Sequence, residues 1–203
     1  MIKNIIFDLG NVLVHVDFEK FRTGLLTAGV SEKDFNVFFN SNLVRGRFEK
    51  GLLTTREFLR LAVKKLGNRL TQKQLVPIFQ DMFEENPDMK AFLKKLVKNN
   101  KYNLIMLSNT NPIHYNYGKK HFQYIYLIKK RALSYKLKLT KPDNRIYVKV
   151  FKRYHIKPDE TLFIDDKQIN CAAAELCGMK TIHFIDYESF IKQFKMITAN
   201  KEN

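Results

Sequence analysis

Residues 4–14 read NIIFDLGNVLV, in which a short strand-like run, Asn4–Phe7, leads directly into Asp8. An unpaired carboxylate inside a protein core costs several kcal/mol or shifts its pKa. We therefore expect Asp8 at the carboxyl end of a central strand, where it opens onto a crevice. Open α/β sheets place their ligands in such crevices. This stretch predicts an α/β fold built around the first strand.

Length and composition are those of a globular protein. With 203 residues, 45% of them hydrophobic, the chain can form one domain, or a core with a smaller satellite. No apolar run approaches the roughly 20 residues that cross a bilayer. The N-terminal run is interrupted by Asp8 and lacks a small-residue cleavage site, so it is not interpreted as a signal peptide. Cys171 and Cys177 suggest neither a disulfide framework nor a metal knuckle. The expected location is a reducing cytoplasm, with no membrane partner.

The positive charge is concentrated in one part of the chain. The formal net charge is +16, and residues 119–157 hold thirteen Lys or Arg and one acid, Asp143. Such a stretch steers anionic substrates or binds nucleic acid. It equally fits a solvated basic face. Nucleic acid is therefore the less favoured partner.

Residues 17–85 show helical periodicity of their apolar residues, and the phenylalanines among them are expected to pack the helices. Two capping boxes mark helix starts: Thr54 with Glu57, and Thr71 with Gln74. The pattern predicts about four helices and no strand. This helical block separates the first strand from the rest of the α/β pattern.

An α/β pattern resumes after Pro87. The predicted elements are helices over 89–97, 146–154 and about 170–177, strands over 103–107, 161–164 and 180–184, and a short strand or turn over 124–128. The tail 200–203 is expected to fray. We predict a Rossmann-like parallel sheet with flanking helices from residues 1–15 and 87–203, and a helical insert from residues 16–86.

Three predicted strands end on polar residues: Asp8, then Ser108-Asn109, then Asp165-Asp166. In a parallel sheet with right-handed crossovers, these strand ends lie along one edge. Clustered carboxylates repel one another unless a cation holds them, and hard oxygen ligands suit Mg²⁺. A magnesium site beside helix N-termini, with a lysine in reach, is suited to binding a phosphoryl group.

Four segments that occur in order carry a family resemblance: FDLGNVLV, LSNT, KPDNRIY and FIDDKQIN. They resemble motifs I to IV of the haloacid dehalogenase (HAD) superfamily of phosphohydrolases, and the resemblance extends from about Asn4 to Phe184. Each motif alone is a weak signal, whereas the four together are a strong one. The helical block lies where this family carries its C1 cap. The D-x-G-N form of motif I is similar to a branch that includes sugar-phosphate phosphatases of the glucose-1-phosphate type.

The resemblance implies a Mg²⁺-dependent phosphatase of a small phosphorylated metabolite, such as a sugar phosphate, with Asp8 as the nucleophile that forms an aspartyl-phosphate. The resemblance also implies that Mg²⁺ is bound by Asp8, Asp166 and the Gly10 carbonyl, with a further ligand or outer contact from Asp165. Asn170 would orient a bound water. Ser108 and the Asn109 amide would bind the phosphate, and Lys141 would neutralise its charge.

Gly10 departs from the family pattern. Most phosphatases of this superfamily have Asp two residues after the nucleophile, where it protonates the leaving group, a contribution typically worth about 10²–10⁴-fold. Three interpretations stay open: substrates with easier leaving groups, an acid supplied by the cap or the substrate, or a degenerate enzyme kept for binding. The alternative function is therefore a catalytically weak HAD-fold protein that binds an acidic partner or nucleic acid through residues 119–157.

Three further features near the motifs are open to more than one interpretation. Arg45, Arg47 and Lys50 form a basic cluster that either faces the site or belongs to a solvated loop. His15 and His114 lie close in sequence to motifs I and II. Either could contact a substrate, but the favoured interpretation is a surface or packing histidine in both cases.

Overall fold

The computed structural model describes residues 1–199, so the expected frayed tail at 200–203 lies outside the described residues. The strands, in chain order, are β1 (Asn4–Phe7), β2 (Val14–Val16), β3 (Phe83–Glu85), β4 (Asn103–Ser108), β5 (Lys130–Leu133), β6 (Thr161–Asp165) and β7 (Lys180–His183). Five of them form one parallel sheet in the order β5-β4-β1-β6-β7. The predicted Rossmann-like α/β architecture is confirmed.

Strand β1 lies at the centre of this sheet, and all four of its residues are buried. Phe7 is in register with Met106 of β4 on one side and with Ile164 of β6 on the other. The three strands therefore end at the same level. This register brings their polar carboxyl ends to one edge of the sheet, as the sequence predicts.

The helices are α1 (Phe18–Thr27), α2 (Glu32–Phe39), α3 (Arg47–Glu49), α4 (Thr55–Lys65), α5 (Gln72–Gln80), α6 (Pro87–Asn99), α7 (Pro112–His121), α8 (Ser134–Leu137), α9 (Asn144–Tyr154), α10 (Gln168–Leu176) and α11 (Tyr187–Thr198). A π-helical turn, Asn42–Gly46, precedes α3. Both predicted capping boxes form, at the starts of α4 and α5. No helix among residues 1–199 is long and apolar enough to span a membrane.

Residues 17–82 form a helical insert with an apolar core of its own. Its buried phenylalanines are Phe21, Phe35, Phe38, Phe48, Phe58 and Phe79. Strands β2 and β3 pair antiparallel at its two ends, with Val14 opposite Glu85. The chain therefore leaves and re-enters the sheet region at one place, and this pairing positions the insert over the carboxyl edge of the sheet.

Several predicted elements are wrong or incomplete. Residues 83–85 form a strand inside the block that the sequence predicts to be purely helical. Gln123–Leu127 is a 3₁₀ turn, which agrees with the turn alternative of the predicted short strand or turn over 124–128. Strand β5 was not predicted because its two leading residues, Lys130 and Arg131, are basic. Charged residues are tolerated there because β5 is an edge strand. Helices α7, α8 and α11 were also not predicted.

Candidate active site

The carboxyl edge of the sheet holds a cluster of three carboxylates. One oxygen each from Asp8, Asp165 and Asp166 lies within 4.8 Å of the others. Lys141 joins this cluster from the loop before α9, and its Nζ is 2.8 Å from Asp8 Oδ1 and 2.6 Å from Asp165 Oδ2. We call these four residues the acidic floor. The structure thus assembles side chains that lie far apart in the sequence.

Asp8 is buried and only partly paired. Its Oδ1 accepts hydrogen bonds from the Leu9 amide, at 2.7 Å, and from Lys141. Its Oδ2 accepts none from residues 1–199. Burial, together with repulsion from Asp165 and Asp166, raises the pKa of Asp8 to about 7, against the attraction of Lys141. Burial lowers the pKa of Lys141, but the negative charges of Asp8 and Asp165 outweigh burial. The pKa of Lys141 is therefore raised, and this lysine is a cation.

Asp165 is fully buried, and both of its oxygens already accept hydrogen bonds. Oδ2 accepts from Lys141, and Oδ1 accepts from the Lys167 amide at 2.9 Å and from Asn170 Nδ2 at 2.8 Å. Of the two predicted roles of Asp165, direct ligand of the metal or outer contact, this arrangement favours the outer contact, in which Asp165 pairs with Lys141. The Asn170 side chain holds Asp165, and this is the contact we assign to it.

The loop after β4 connects the predicted phosphate-binding residues to Lys141. Ser108 is buried and lines the cavity above the floor. The Asn109 side chain clamps the backbone of Lys141, because its Nδ2 donates to the Lys141 carbonyl and its Oδ1 accepts from the Lys141 amide, both at 2.9 Å. The side chain of Asn109 is therefore a positioning group. Phosphate binding by its backbone amide stays a prediction.

Asn11 orders the turn that follows the nucleophile candidate. It adopts a left-handed backbone with φ of 54°, a conformation that asparagine tolerates better than most residues. Its Oδ1 accepts from the Val16 amide at 2.9 Å, and its Nδ2 donates to Asp166 Oδ2 at 3.1 Å. Gly10, whose carbonyl is the predicted metal ligand, lines the cavity beside it.

The helical insert covers the floor and encloses a cavity of about 210 Å³. Most of the residues that the insert contributes are aromatic: Phe18, Phe21, Phe39, Phe48, Phe58 and Phe79, and Phe83 of β3 adds a seventh ring. Two charged residues of the insert, Arg45 and Glu49, also line the cavity. We call these nine residues the aromatic roof. Arg47 and Lys50 are exposed and do not line the cavity, so only one member of the predicted basic cluster faces the site.

Arg45 and Glu49 are held differently. Arg45 Nη1 donates to the Phe39 carbonyl at 2.6 Å, and its guanidinium lies 4.2 Å from the centre of the Phe39 ring. The Glu49 carboxyl accepts no hydrogen bond from residues 1–199. Burial raises the pKa of Glu49, while Arg45 and Lys167 act in the opposite direction. No sequence motif identifies Glu49 as a site residue. Its spacing of four from Arg45, within a phenylalanine-rich segment, is the signal that was available.

His114 joins the core to the insert. Its Nδ1 lies 3.1 Å from Asn111 Nδ2, and its Nε2 lies 3.0 Å from the Phe79 carbonyl. Burial lowers the pKa of His114 to about 3, so the ring is neutral. His15 is exposed and does not line the cavity. His15 therefore fits a surface role, whereas His114 packs between core and insert and also lines the cavity.

Most of the basic stretch is exposed. Of the thirteen Lys and Arg in residues 119–157, all but Arg131 and Lys141 are exposed. Lys141 belongs to the acidic floor. The remaining exposed charges are those on which the alternative function, binding of an acidic partner or nucleic acid, depends.

The floor provides the donors that a hard divalent cation requires. Three carboxylates meet one lysine, so a negative charge remains uncompensated, and the available donors are oxygens. This set fits Mg²⁺ and not a soft metal, which would select thiolates. Asp8 and Asp166, together with the Gly10 carbonyl, are the residues that would hold it.

Comparisons with known proteins agree with this site. The family model for haloacid dehalogenase-like hydrolases matches residues 2–178. D-ribitol-5-phosphate phosphatase of Bacteroides thetaiotaomicron is 30% identical over 191 residues, which cover 89% of this chain and 91% of that protein. The chain belongs to the haloacid dehalogenase-like hydrolase family. It is therefore an enzyme, a hydrolase, and the predicted superfamily is confirmed.

Two solved structures share the whole architecture. One is a HAD family enzyme of B. thetaiotaomicron in complex with magnesium and inorganic phosphate, with 30% identity, a TM-score of 0.82, and coverage of 94% of this chain and 99% of that one. The other is a predicted HAD-like family hydrolase of Porphyromonas gingivalis, with 27% identity, a TM-score of 0.82, and coverage of 99% and 100%. The helical insert therefore lies within the region of similarity.

Proposed function

We propose that this protein is a Mg²⁺-dependent phosphatase of a small sugar or polyol phosphate, and that it acts through an aspartyl-phosphate on Asp8. The observation that carries the proposal is the position of the Lys141 ammonium, 2.8 Å from Asp8 and 2.6 Å from Asp165. A fixed cation beside a nucleophilic carboxylate is what phosphoryl transfer requires. The similarity to a ribitol-5-phosphate phosphatase supports the substrate class.

The residues of the floor and of the neighbouring segment after β4 have distinct roles in this proposal. Asp8 Oδ2 attacks phosphorus, since no protein donor among residues 1–199 occupies that oxygen. Lys141 neutralises charge on the transferring group, while Ser108 and the Asn109 amide bind its oxygens. Bound Mg²⁺ would offset the repulsion among the carboxylates and the phosphate. Asp165 holds Lys141 and Asn170 in place.

We further propose that the helical insert is a cap, with boundaries near the predicted residues 16–86. Its position over the floor excludes water from the cavity, which strengthens the electrostatic interactions inside it. The division of the chain into a catalytic core of residues 1–15 and 87–203 and this cap follows from the same proposal.

A panel of phosphate esters, including ribitol 5-phosphate and glucose 1-phosphate, tests the function with and without Mg²⁺. We expect hydrolysis of a sugar or polyol phosphate that requires Mg²⁺ and falls by at least about 10⁴-fold in Asp8→Asn. Asp88→Asn, an exposed aspartate of α6, is the matched control and should keep the activity. Equal turnover by wild type and Asp8→Asn across the panel would end the phosphatase proposal.

A further inference from the structure

The residue two positions after Asp8 is Gly10, which has no side chain that could donate a proton to the leaving group. Gly10 occupies the position at which related phosphatases carry an acid, and the carboxylates of the floor are paired with Lys141 or form the cation site. An alkoxide is a poor leaving group, so a proton donor on the far side of the phosphate contributes strongly to hydrolysis of an alkyl phosphate.

The other titratable groups that line the cavity leave few candidates for the proton donor. Lys167 and Arg45 are basic side chains and not carboxyl groups. His114 is neutral, and both of its ring nitrogens lie within hydrogen-bond distance of protein atoms. Among the described residues that line the cavity, Glu49 is the one carboxyl outside the floor. It is also the acidic group that the roof contributes.

The backbone fixes Glu49 relative to the phosphate-binding loop. The hydroxyl of Ser134, a fully buried residue of α8, lies 2.7 Å from the Glu49 carbonyl and accepts from the Thr110 amide at 2.9 Å. Thr110 directly follows Ser108 and Asn109. One buried hydroxyl thus connects the insert at Glu49 to the loop that would hold the phosphate.

A close approach at Gly51 reinforces this placement. Gly51 has a φ of 62°, and a Cβ there would lie 2.1 Å from the Tyr135 carbonyl of α8. The Lys138 ammonium also donates to the Gly51 carbonyl. Glu49 therefore sits on a segment docked against the core, while its carboxyl is left without a hydrogen bond from residues 1–199.

We propose that Glu49 is the catalytic acid and base of this enzyme, replacing from the insert the carboxyl that Gly10 lacks. The inference rests on the proposed phosphatase function. Burial favours the protonated form of Glu49, against the attraction of Arg45 on the same segment and of Lys167 after β6. Burial therefore opposes ionisation of Glu49, which is the direction that a proton donor requires.

The proton balance is complete in both half-reactions. As Asp8 Oδ2 bonds to phosphorus and the bond to the leaving oxygen breaks, that oxygen takes the Glu49 proton, and an alcohol departs. Water then bonds to phosphorus while the Asp8–phosphorus bond breaks, and the Glu49 carboxylate takes a proton from that water. Inorganic phosphate leaves, with Asp8 ionised and Glu49 protonated again.

The test compares kcat/KM on two substrates: 4-nitrophenyl phosphate, whose leaving group needs little protonation, and the alkyl phosphate that the wild type hydrolyses best. Glu49→Gln should lower the alkyl rate by about 10²-fold or more and leave the aryl rate nearly unchanged. The ratio of the two rates is measured on one preparation, so a loss of folded protein cancels. Glu49→Ala, the second variant, should shift the ratio in the same direction.

The control is Glu19→Gln, an exposed glutamate of the insert, which should keep the wild-type ratio. Equal losses on both substrates, or an unchanged alkyl rate, would overturn the assignment of Glu49. Either result leaves the phosphatase function standing where Asp8→Asn still removes turnover. Absence of any Asp8-dependent turnover in the wild type refutes the phosphatase function, and the role of Glu49 with it.

Discussion

The floor and the roof of the cavity are built in opposite ways. Lys141 and Asp165 of the floor form a continuous network of ion pairs and hydrogen bonds with Asn170 and Asn109. In the roof, stacked aromatic rings such as Phe48 and Phe58, 4.0 Å apart, leave one carboxyl without a hydrogen bond from the described residues. A satisfied network fixes the positions of reacting groups, whereas apolar walls exclude water. The floor therefore supplies the nucleophile and the cation of phosphoryl transfer, while the roof supplies apolar walls and, in our proposal, the proton donor Glu49.

The largest expected effect comes from breaking the floor. Lys141→Met leaves Asp8 and Asp165 buried without their cation, so it should destabilise the protein by about 3–5 kcal/mol. Turnover should also fall by about 10²–10³-fold, since a positioned charge on the transferring group is lost. Denaturant unfolding and kcat measured at low temperature check both expectations.

Lys152→Met, which removes an exposed lysine of α9, is the control for that variant. It should change the free energy of unfolding by no more than about 0.5 kcal/mol. If Lys141→Met were as stable and as active as this control, the floor would not be the network that we describe.

A substitution in the core of the insert should lower the stability of the protein without lowering the rate of phosphoryl transfer. Phe38 is fully buried in the core of the insert and does not line the cavity. Phe38→Ala should cost about 3–5 kcal/mol of stability through lost burial and a cavity. The kcat of the folded fraction should stay near that of the wild type, because no residue of the floor is touched.

Val37→Ala, at an exposed position of the same helix, is the matched control and should be nearly neutral in stability. A kcat for Phe38→Ala that falls as far as that of Lys141→Met would show that roof and floor do not separate in this way.

A smaller effect links pH to metal binding. The pKa of Asp8, raised to about 7 from its ordinary value of 3.8, means that the folded state holds this proton more tightly than the unfolded chain. The stabilisation is fully present below about pH 4 and is lost as the pH rises through 7. The Tm of the metal-free protein should therefore fall between pH 5 and pH 8.

Mg²⁺ should reverse this loss, because it binds the ionised carboxylates of the native state. At a concentration of 100 Kd, the gain is about 2.7 kcal/mol. We expect a larger Mg²⁺-induced rise in Tm at pH 8 than at pH 5, measured by thermal unfolding. Asp8→Asn should flatten the pH dependence of the metal-free Tm. An Asp8→Asn variant with the wild-type pH dependence would contradict the assignment.

The sequence predicts the floor better than the roof for a physical reason. Strand β1 is apolar from Ile5 to Phe7 and is followed directly by Asp8, so a local pattern places that carboxylate at the edge of the sheet. Parallel topology then brings Ser108 and Asp165 to the same edge. Lys141 had no such local signal and was identified through its family motif. Its place between two carboxylates depends on the clamp from Asn109, a contact across the fold.

The role that we propose for Glu49 could not be predicted in the same way. Its position depends on docking of the insert, through Ser134 and the close approach at Gly51, and residues far apart in sequence determine both contacts. Strand β5 was missed because the edge of a sheet tolerates the lysine and arginine at its start. The position of Glu49 and the formation of β5 both depend on tertiary contacts, which the local periodicity of the sequence does not reveal.

Trapping the phosphoryl group on the enzyme tests the central claim most directly. Wild-type protein is mixed with Mg²⁺ and the best substrate of the panel, quenched with acid during turnover, and mapped by peptide mass spectrometry. We expect a phosphoryl group on the Asp8 side chain, and none in Asp8→Asn treated in the same way. A phosphoryl group on another residue during Asp8-dependent turnover would contradict it.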